Sequence, residues 1–237
     1  MNRQAFFASL RRRKSGVFGT SLTQKQVDGC EVILDRALHL PITFTAYILA
    51  TTYHETAHTM QPVRETLAKT DAQAMARLES YYRKRGSKGP VYWRDGFFGR
   101  GFVQLTWRDN YARAGAETGY DLVAHPELAM RPDVAAEILV TGCLEGWFTG
   151  KCLGDCLPGD YEGARRVVNG TDRAALIAAY AHAFEAALIE AGYEAAPKPA
   201  PTTEPEAPPA PPATEIPALT VWAGIIQAIS SIFGGRK

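Results

Sequence analysis

Apolar side chains recur at three- and four-residue steps over 24–38, 43–58, 71–85, 132–148 and 173–191. That spacing lines one face of an α-helix. Thr171 and Asp172 stand where the N-cap of the last stretch belongs, and Gly192 where it would stop. Pro132 suits a first helical turn, where its missing amide costs nothing. Glycine-rich connectors at 86–101 and 149–160 separate the helical stretches. No alternating pattern runs long enough for a large sheet, and no segment repeats. The pattern therefore predicts a mainly α, irregular helical domain over 1–195 with a loop-rich middle.

The pattern changes at about Ala195. Residues 197–217 read PKPAPTTEPEAPPAPPATEIP, which lacks the amide donors and large apolar groups a core needs. An extended, semi-rigid Pro-rich linker is expected over 196–217. Beyond it, the 18 residues of 216–233 carry no charge, ahead of Arg236 and Lys237. That length barely spans a bilayer, and Thr220, Gln227, Ser230 and Ser231 weaken it. The tail, 218–237, is read as a short apolar helix that associates with a membrane or a partner protein through 218–233. A marginal span, an interfacial helix and a protein-docking helix all stay open.

Composition narrows the picture. With 46% hydrophobic and 22% charged residues, the chain is not wholly disordered. Its net charge of +1 gives no footprint for nucleic acid as a partner. The basic run Arg11, Arg12, Arg13, Lys14 reads as a solvated turn after a short helix. Cys30, Cys143, Cys152 and Cys156 match no zinc-knuckle spacing and are expected to be free, semi-buried thiols. A disulfide from Cys152 to Cys156 or Cys143 would need an oxidising compartment. The apolar stretch 5–10 is too short for a secretory signal, and the basic residues follow it instead of preceding it. Synthesis in the cytoplasm is expected.

Candidate chemistry centres on YHETAHTMQPVRE at 53–65, and two readings compete. His54-Glu55-Thr56-Ala57-His58 is a literal H-E-x-x-H, which on a helix puts both imidazoles on one face with Glu55 as general base of a zinc metallopeptidase. The extended zinc motif fails at Gln61 and Arg64, although Glu79 on a following helix could serve as the third ligand. Alternatively Glu55 and Glu65 form an acid/base pair for glycoside hydrolysis. On an unbroken helix, ten residues would separate them by about 15 Å and place them on different faces. Pro62 ends the helix near 59–61, so Glu65 can turn back towards Glu55. An inverting hydrolase wants roughly 6.5–9.5 Å between the carboxyls.

FFGRGFVQLTWRDNY at 97–111 adds Gln104, Thr106 and Asn110 among aromatics, the mixture of amides, hydroxyls and aromatic faces that suits a sugar. Gly99 and Gly101, flanking Arg100, suit a tight turn or a close approach. An aromatic-rich core loop is the plainer reading.

HET at 54–56, the second Glu, the 97–111 block and RRVVNG at 165–170 together resemble the family 19 glycoside hydrolases, chitinases and related phage endolysins. The likeness runs over about 45–190 and is closer in form to the endolysin-like branch. It implies a lysozyme-like helical fold with a loop-rich cleft and an inverting reaction without metal or other cofactor. Carried onto this chain, Glu55 is the general acid, Glu65 the general base, and Thr106 holds the attacking water. Gln104, Asn110, Tyr111, Trp107 and Asn169 contact sugar. The distal arginine that some chitinases carry finds no match in the sequence.

From these roles, Glu55 is expected in an apolar spot among Phe and Trp side chains that keeps it protonated. Arg64 is either an ion-pair partner that holds Glu65 ionised or a plain surface arginine. His54 is expected to pack on Tyr53 and Tyr92, the other reading being a partner that orients Glu55. The function expected is cleavage of β-1,4 bonds in peptidoglycan by a monomeric endolysin acting at the cell wall or periplasm. The alternatives are a chitinase, a zinc peptidase and a non-catalytic wall-binding module.

Overall fold

The computed structural model describes residues 1–86 and 88–195. The linker at 196–217 and the tail at 218–237 lie outside the described residues. Eight helices order the described chain: α1 (Arg3–Leu10), α2 (Gln24–Ala37), α3 (Ile42–Glu55), α4 (Asp71–Lys84), α5 (Arg108–Thr118), α6 (Pro132–Glu145), α7 (Tyr161–Val168) and α8 (Ala174–Glu190). Two two-residue strands, β1 (Val63–Arg64) and β2 (Arg100–Gly101), pair antiparallel with Val63 opposite Gly101 and Arg64 opposite Arg100. The chain is thus mainly α, as its periodicity predicts. Among the described residues no helix is long and apolar enough to cross a membrane.

Local chemistry sets the helix ends. Thr23 and Gln26 form a reciprocal capping box on α2, Thr70 caps α4, and Asp160 caps α7. Pro132 opens α6 as expected. Gly146 takes the left-handed conformation just past Glu145 and stops α6 three residues before 148. Thr171 and Asp172 do not cap α8. Arg173, at φ 59°, occupies that place and caps no amide with its side chain. Gly192, at φ 66°, ends the helix as predicted.

α3 is the central element. It lies against α8, α2, α6 and α7, and ten of its residues are buried. That explains its near-continuous apolar character, since a helix surrounded by others needs no polar face. The core gathers Tyr47, Ile48 and Leu49 of α3, Ile33 and Leu34 of α2, Leu139 and Cys143 of α6, and Phe184 and Leu188 of α8. A smaller cluster of Leu78, Tyr92, Trp93 and Phe98 lies beneath the loops that carry the site.

The two ends of the described chain meet. The Asn2 amide donates to the Ala191 carbonyl at 2.7 Å, and α1 packs on α8. The Tyr193 hydroxyl lies 2.9 Å from the carbonyls of both Ala37 and Leu40. The basic run follows α1 as an exposed turn, with Arg12 ion-paired to Glu190. Cys30 and Cys143 are buried and Cys152 and Cys156 half-buried, all unpaired.

Candidate active site

α3 stops at Glu55, earlier than the proline alone requires. The Thr56 hydroxyl donates to the Thr52 carbonyl and accepts from the Met60 amide, 2.8 and 3.0 Å away. Ala57 and His58 then enter left-handed conformations at φ 49° and 68°, and the His58 amide reaches back to the Tyr53 carbonyl. The one-face geometry behind the zinc reading is therefore absent, because His58 lies beyond the helix that carries His54. Its ring stacks on Tyr53 with centroids 4.1 Å apart. That is the packing on Tyr53 expected of His54. Burial pushes both imidazoles below the usual histidine range. Glu79, the distant third ligand of that reading, is held by Arg83, Arg94 and the Trp93 indole, which bring its carboxyl down to about 2.

After the turn the chain runs through β1 into Glu65. This carboxylate is buried and fixed at both oxygens: Oε1 accepts from the Tyr92 hydroxyl at 2.7 Å, and Oε2 from the Gly99 amide at 2.8 Å. The Glu65 amide donates in turn to the Gly99 carbonyl at 2.7 Å. Burial pushes the Glu65 carboxyl up, against the opposing pull of the two donors. Arg64 does not pair with it, contrary to the ion-pair expectation from sequence. Arg64 is ion-paired to Asp71, which also takes the buried Arg100 guanidinium at 2.7 Å. The fork of a guanidinium is better satisfied there than beside a carboxylate already filled by two donors.

The environment of Glu55 also differs from expectation. Its carboxyl is engaged by a charge, Arg165 of α7, whose Nη1 donates to Glu55 Oε1 at 2.6 Å. Both side chains are enclosed, at 3% and 0% exposure, so the pair is a buried ion pair. The Arg165 Nε is held by the Asp172 carbonyl at 3.0 Å. Sequence reasoning singled out RRVVNG but took only Asn169 from it. The available signal was an arginine four residues before Asn169, one helical turn away from a residue already singled out.

The 97–111 block packs directly against Glu65 and β1. Gly99 is wedged between partners: a Cβ there would meet the Gln104 Oε1 at 2.8 Å and the Glu65 Cβ at 3.3 Å. Gln104 sits at φ 59°, and its Nε2 donates to the Val63 carbonyl at 2.9 Å, tying the block to β1. Its buried Oε1 has no partner. The buried Thr106 hydroxyl donates to the Gln104 carbonyl at 2.7 Å, leaving its lone pairs to accept. Asn110 donates to the Thr106 carbonyl at 2.8 Å.

Trp107 is half-buried on Tyr92 with ring centroids 4.6 Å apart. Tyr111 is fully enclosed, its hydroxyl engaged by the Phe98 carbonyl and by Arg100. No face of Tyr111 is left for a sugar, so it serves as scaffold. Asn169 is buried, and its Oδ1 accepts from the Gly170 amide. A cavity of about 570 Å³ opens where α7 meets α8, among Asp160, Glu162, Arg166, Thr171 and Arg173. Neither Glu55 nor Glu65 lines it.

Backbone strain gathers around these residues. Among the described residues, nine that are not glycine have positive φ, and seven of them lie between 57 and 107: Ala57, His58, Met60, Thr66, Leu67, Gln104 and Trp107. Each such conformation costs on the order of 1–3 kcal/mol and persists where its surroundings over-determine it, commonly at reactive sites. Among the described residues no group of three or more His, Cys, Asp or Glu is placed to hold a metal ion.

Comparison with known proteins bears on this arrangement. Residues 43–151 match the model of the glycoside hydrolase 19 family, described as chitinase class I. An endochitinase of Arabidopsis thaliana is 32% identical over 94 residues, which are 39% of this chain and 33% of the relative. The chain therefore spans about a third of that relative's length. Among solved structures, chitinase C from Streptomyces griseus HUT6037 gives a TM-score of 0.48 at 19% identity over 83% of this chain and 78% of that one. A bacterial family 19 chitinase gives 0.35 at 19% identity, over 81% and 95% of the two chains.

Proposed function

We propose that this chain, whose residues 43–151 match the chitinase class I family model, hydrolyses β-1,4 glycosidic bonds in peptidoglycan. The observation that carries the reading is the pair of enclosed carboxylates, Glu55 on α3 and Glu65 after β1, held by separate sets of donors. Glycoside hydrolysis needs one carboxyl to protonate the leaving oxygen and another to activate water.

Glu55 is the donor. The ion pair with Arg165 is the state left once its proton has been given up, so Glu55 must take up a proton before each turnover. Glu65 is the base. Burial makes it a stronger base, while Tyr92 and Gly99 keep the ionised form supplied with donors. An attacking water would give one O–H to Glu65 and the other to Thr106, whose own proton is committed to the Gln104 carbonyl. Its free lone pair then faces the anomeric carbon, and the reaction inverts. The sequence form of 53–65 favours peptidoglycan, and action at the cell wall follows from that substrate. Chitin is the second reading, favoured by the likeness to the Arabidopsis endochitinase.

The test treats Gram-negative murein and chitin oligomers with the full-length chain and with Glu55→Gln. Products are read by mass spectrometry and by NMR of the first anomer formed. The α-anomer and an inactive Glu55→Gln are expected. A mutant as active as the wild type would remove Glu55 from the role, and a β-anomer formed first would rule out single displacement. Activity lost to a chelator and regained with zinc would favour a peptidase instead.

A further inference from the structure

Tyr47, Thr51 and Glu55 follow one another at four-residue steps on α3, so they share one face of that helix. Tyr47 and Thr51 are fully buried in a helix whose other inward positions are mostly apolar. Nothing in the packing of a core calls for two hydroxyls there. Neither the Tyr47 hydroxyl nor the Thr51 hydroxyl has a hydrogen-bond partner, and neither does the Arg165 Nη2. The two hydroxyls lie close enough to interact with each other, short of hydrogen-bond geometry, and Tyr47 feels the charges of both Arg165 and Glu55. Three unpaired polar groups thus accompany one buried ion pair.

Leaving a buried donor or acceptor unsatisfied costs about 1–3 kcal/mol, and more beside a charge. Three together would be hard to sustain in a marginally stable domain. Proteins resolve such clusters with an internal water, which takes two to four polar partners. A water there could accept from Arg165 Nη2 and from one hydroxyl and donate to the other.

We propose that Tyr47 and Thr51 are positioning residues for Glu55, acting through Arg165 and one internal water that joins Arg165 Nη2 to both hydroxyls. The guanidinium is then fixed at all three nitrogens: Nη1 by Glu55, Nε by the Asp172 carbonyl, and Nη2 by the water. A guanidinium so held cannot swing, and the carboxyl it grips keeps its aim at the leaving oxygen. This rests on the reading of Glu55 as the proton donor. It adds the means by which that carboxyl is oriented from inside the core.

The experiment compares Tyr47→Phe, Thr51→Val and Thr51→Ser in the full-length chain on the murein or chitin substrate that the wild type cleaves. A high-resolution crystal structure of the wild type accompanies them. The structure should show one ordered water touching Arg165 Nη2, Tyr47 and Thr51. Tyr47→Phe and Thr51→Val should each lower kcat by about tenfold with KM little changed, the mark of misplaced chemistry. Thr51→Ser, which keeps the hydroxyl, should stay near wild type. A wild-type structure without the bridging water overturns the proposal even where the variants fail to fold. So does an unchanged kcat in folded Tyr47→Phe and Thr51→Val. A fully active Glu55→Gln removes Glu55 from the donor role on its own, whatever the crystal shows at Arg165.

Discussion

Glu65 is held against the effect of its own burial by two donors, the Tyr92 hydroxyl and the Gly99 amide. Tyr92→Phe removes one of them and leaves the burial in place, so the carboxyl should rise further. The acidic limb of kcat/KM against pH, where the base loses its charge, should move to higher pH by about one unit. An unmoved limb would detach Glu65 from the base role. The linkage sign follows from the same direction. A carboxyl raised in the folded state contributes stability below its unfolded value, and that contribution fades as pH climbs through the folded value.

Arg165 permits a second measurement at this scale. Arg165→Met strands a buried carboxylate and should cost about 3–5 kcal/mol in denaturant unfolding. Glu55→Leu with Arg165→Met together should lose less than Arg165→Met alone. Equal losses would mean the pair is not electrostatically coupled. Glu55 was legible as a candidate from HET, but its partner was not. The two lie 110 positions apart, and spacing rules reach only along one element.

At the level of elements, periodicity found α2, α3, α4, α6 and α8 with ends mostly within a few residues. It did not show α1, which was read only as the short helix before the basic run, and it missed α5 and α7. α7 has only eight residues, too few turns for a period to show. α5 has two buried residues, Tyr111 and Ala114, too few to trace an apolar stripe. The end of α3 was placed late because Pro62 was taken as the terminator. Thr56 ends the helix first, by satisfying the Met60 amide with its side chain.

The turn that follows is braced from another helix. A Cβ on Gly29 of α2 would come within 1.7 Å of the Met60 carbonyl oxygen. Gly29→Ala must displace this turn or α2. It should lower both Tm and hydrolytic rate, although Gly29 is not among the residues proposed to touch substrate. Wild-type activity with a reduced Tm would show that the turn and Glu65 move independently.

For the whole molecule, the helical class and its loop-rich middle were legible. Two neighbourhoods were not: the one in which Glu65 sits on Gly99 and Tyr92, and the one in which Glu55 sits on Arg165. Both are made by loops and a short helix meeting across the core, and no local pattern encodes such meetings. The segment after 195 carries a separate prediction. If 218–233 binds a membrane or partner, full-length chain and a 1–196 form should partition differently on cell fractionation. Identical partitioning would count against that role.

The hydrogen bond from Asn2 to Ala191 closes the described chain almost into a ring. Ends this near each other make the domain a natural insert: it could be spliced into a surface loop of a host protein, or its ends joined and the chain reopened elsewhere, with little demand on the connecting peptide. The cut could not be made at Lys151, where the family match stops. The arginine that grips Glu55 arrives later, so the smallest transplantable unit carries α7, α8 and Tyr193 with it.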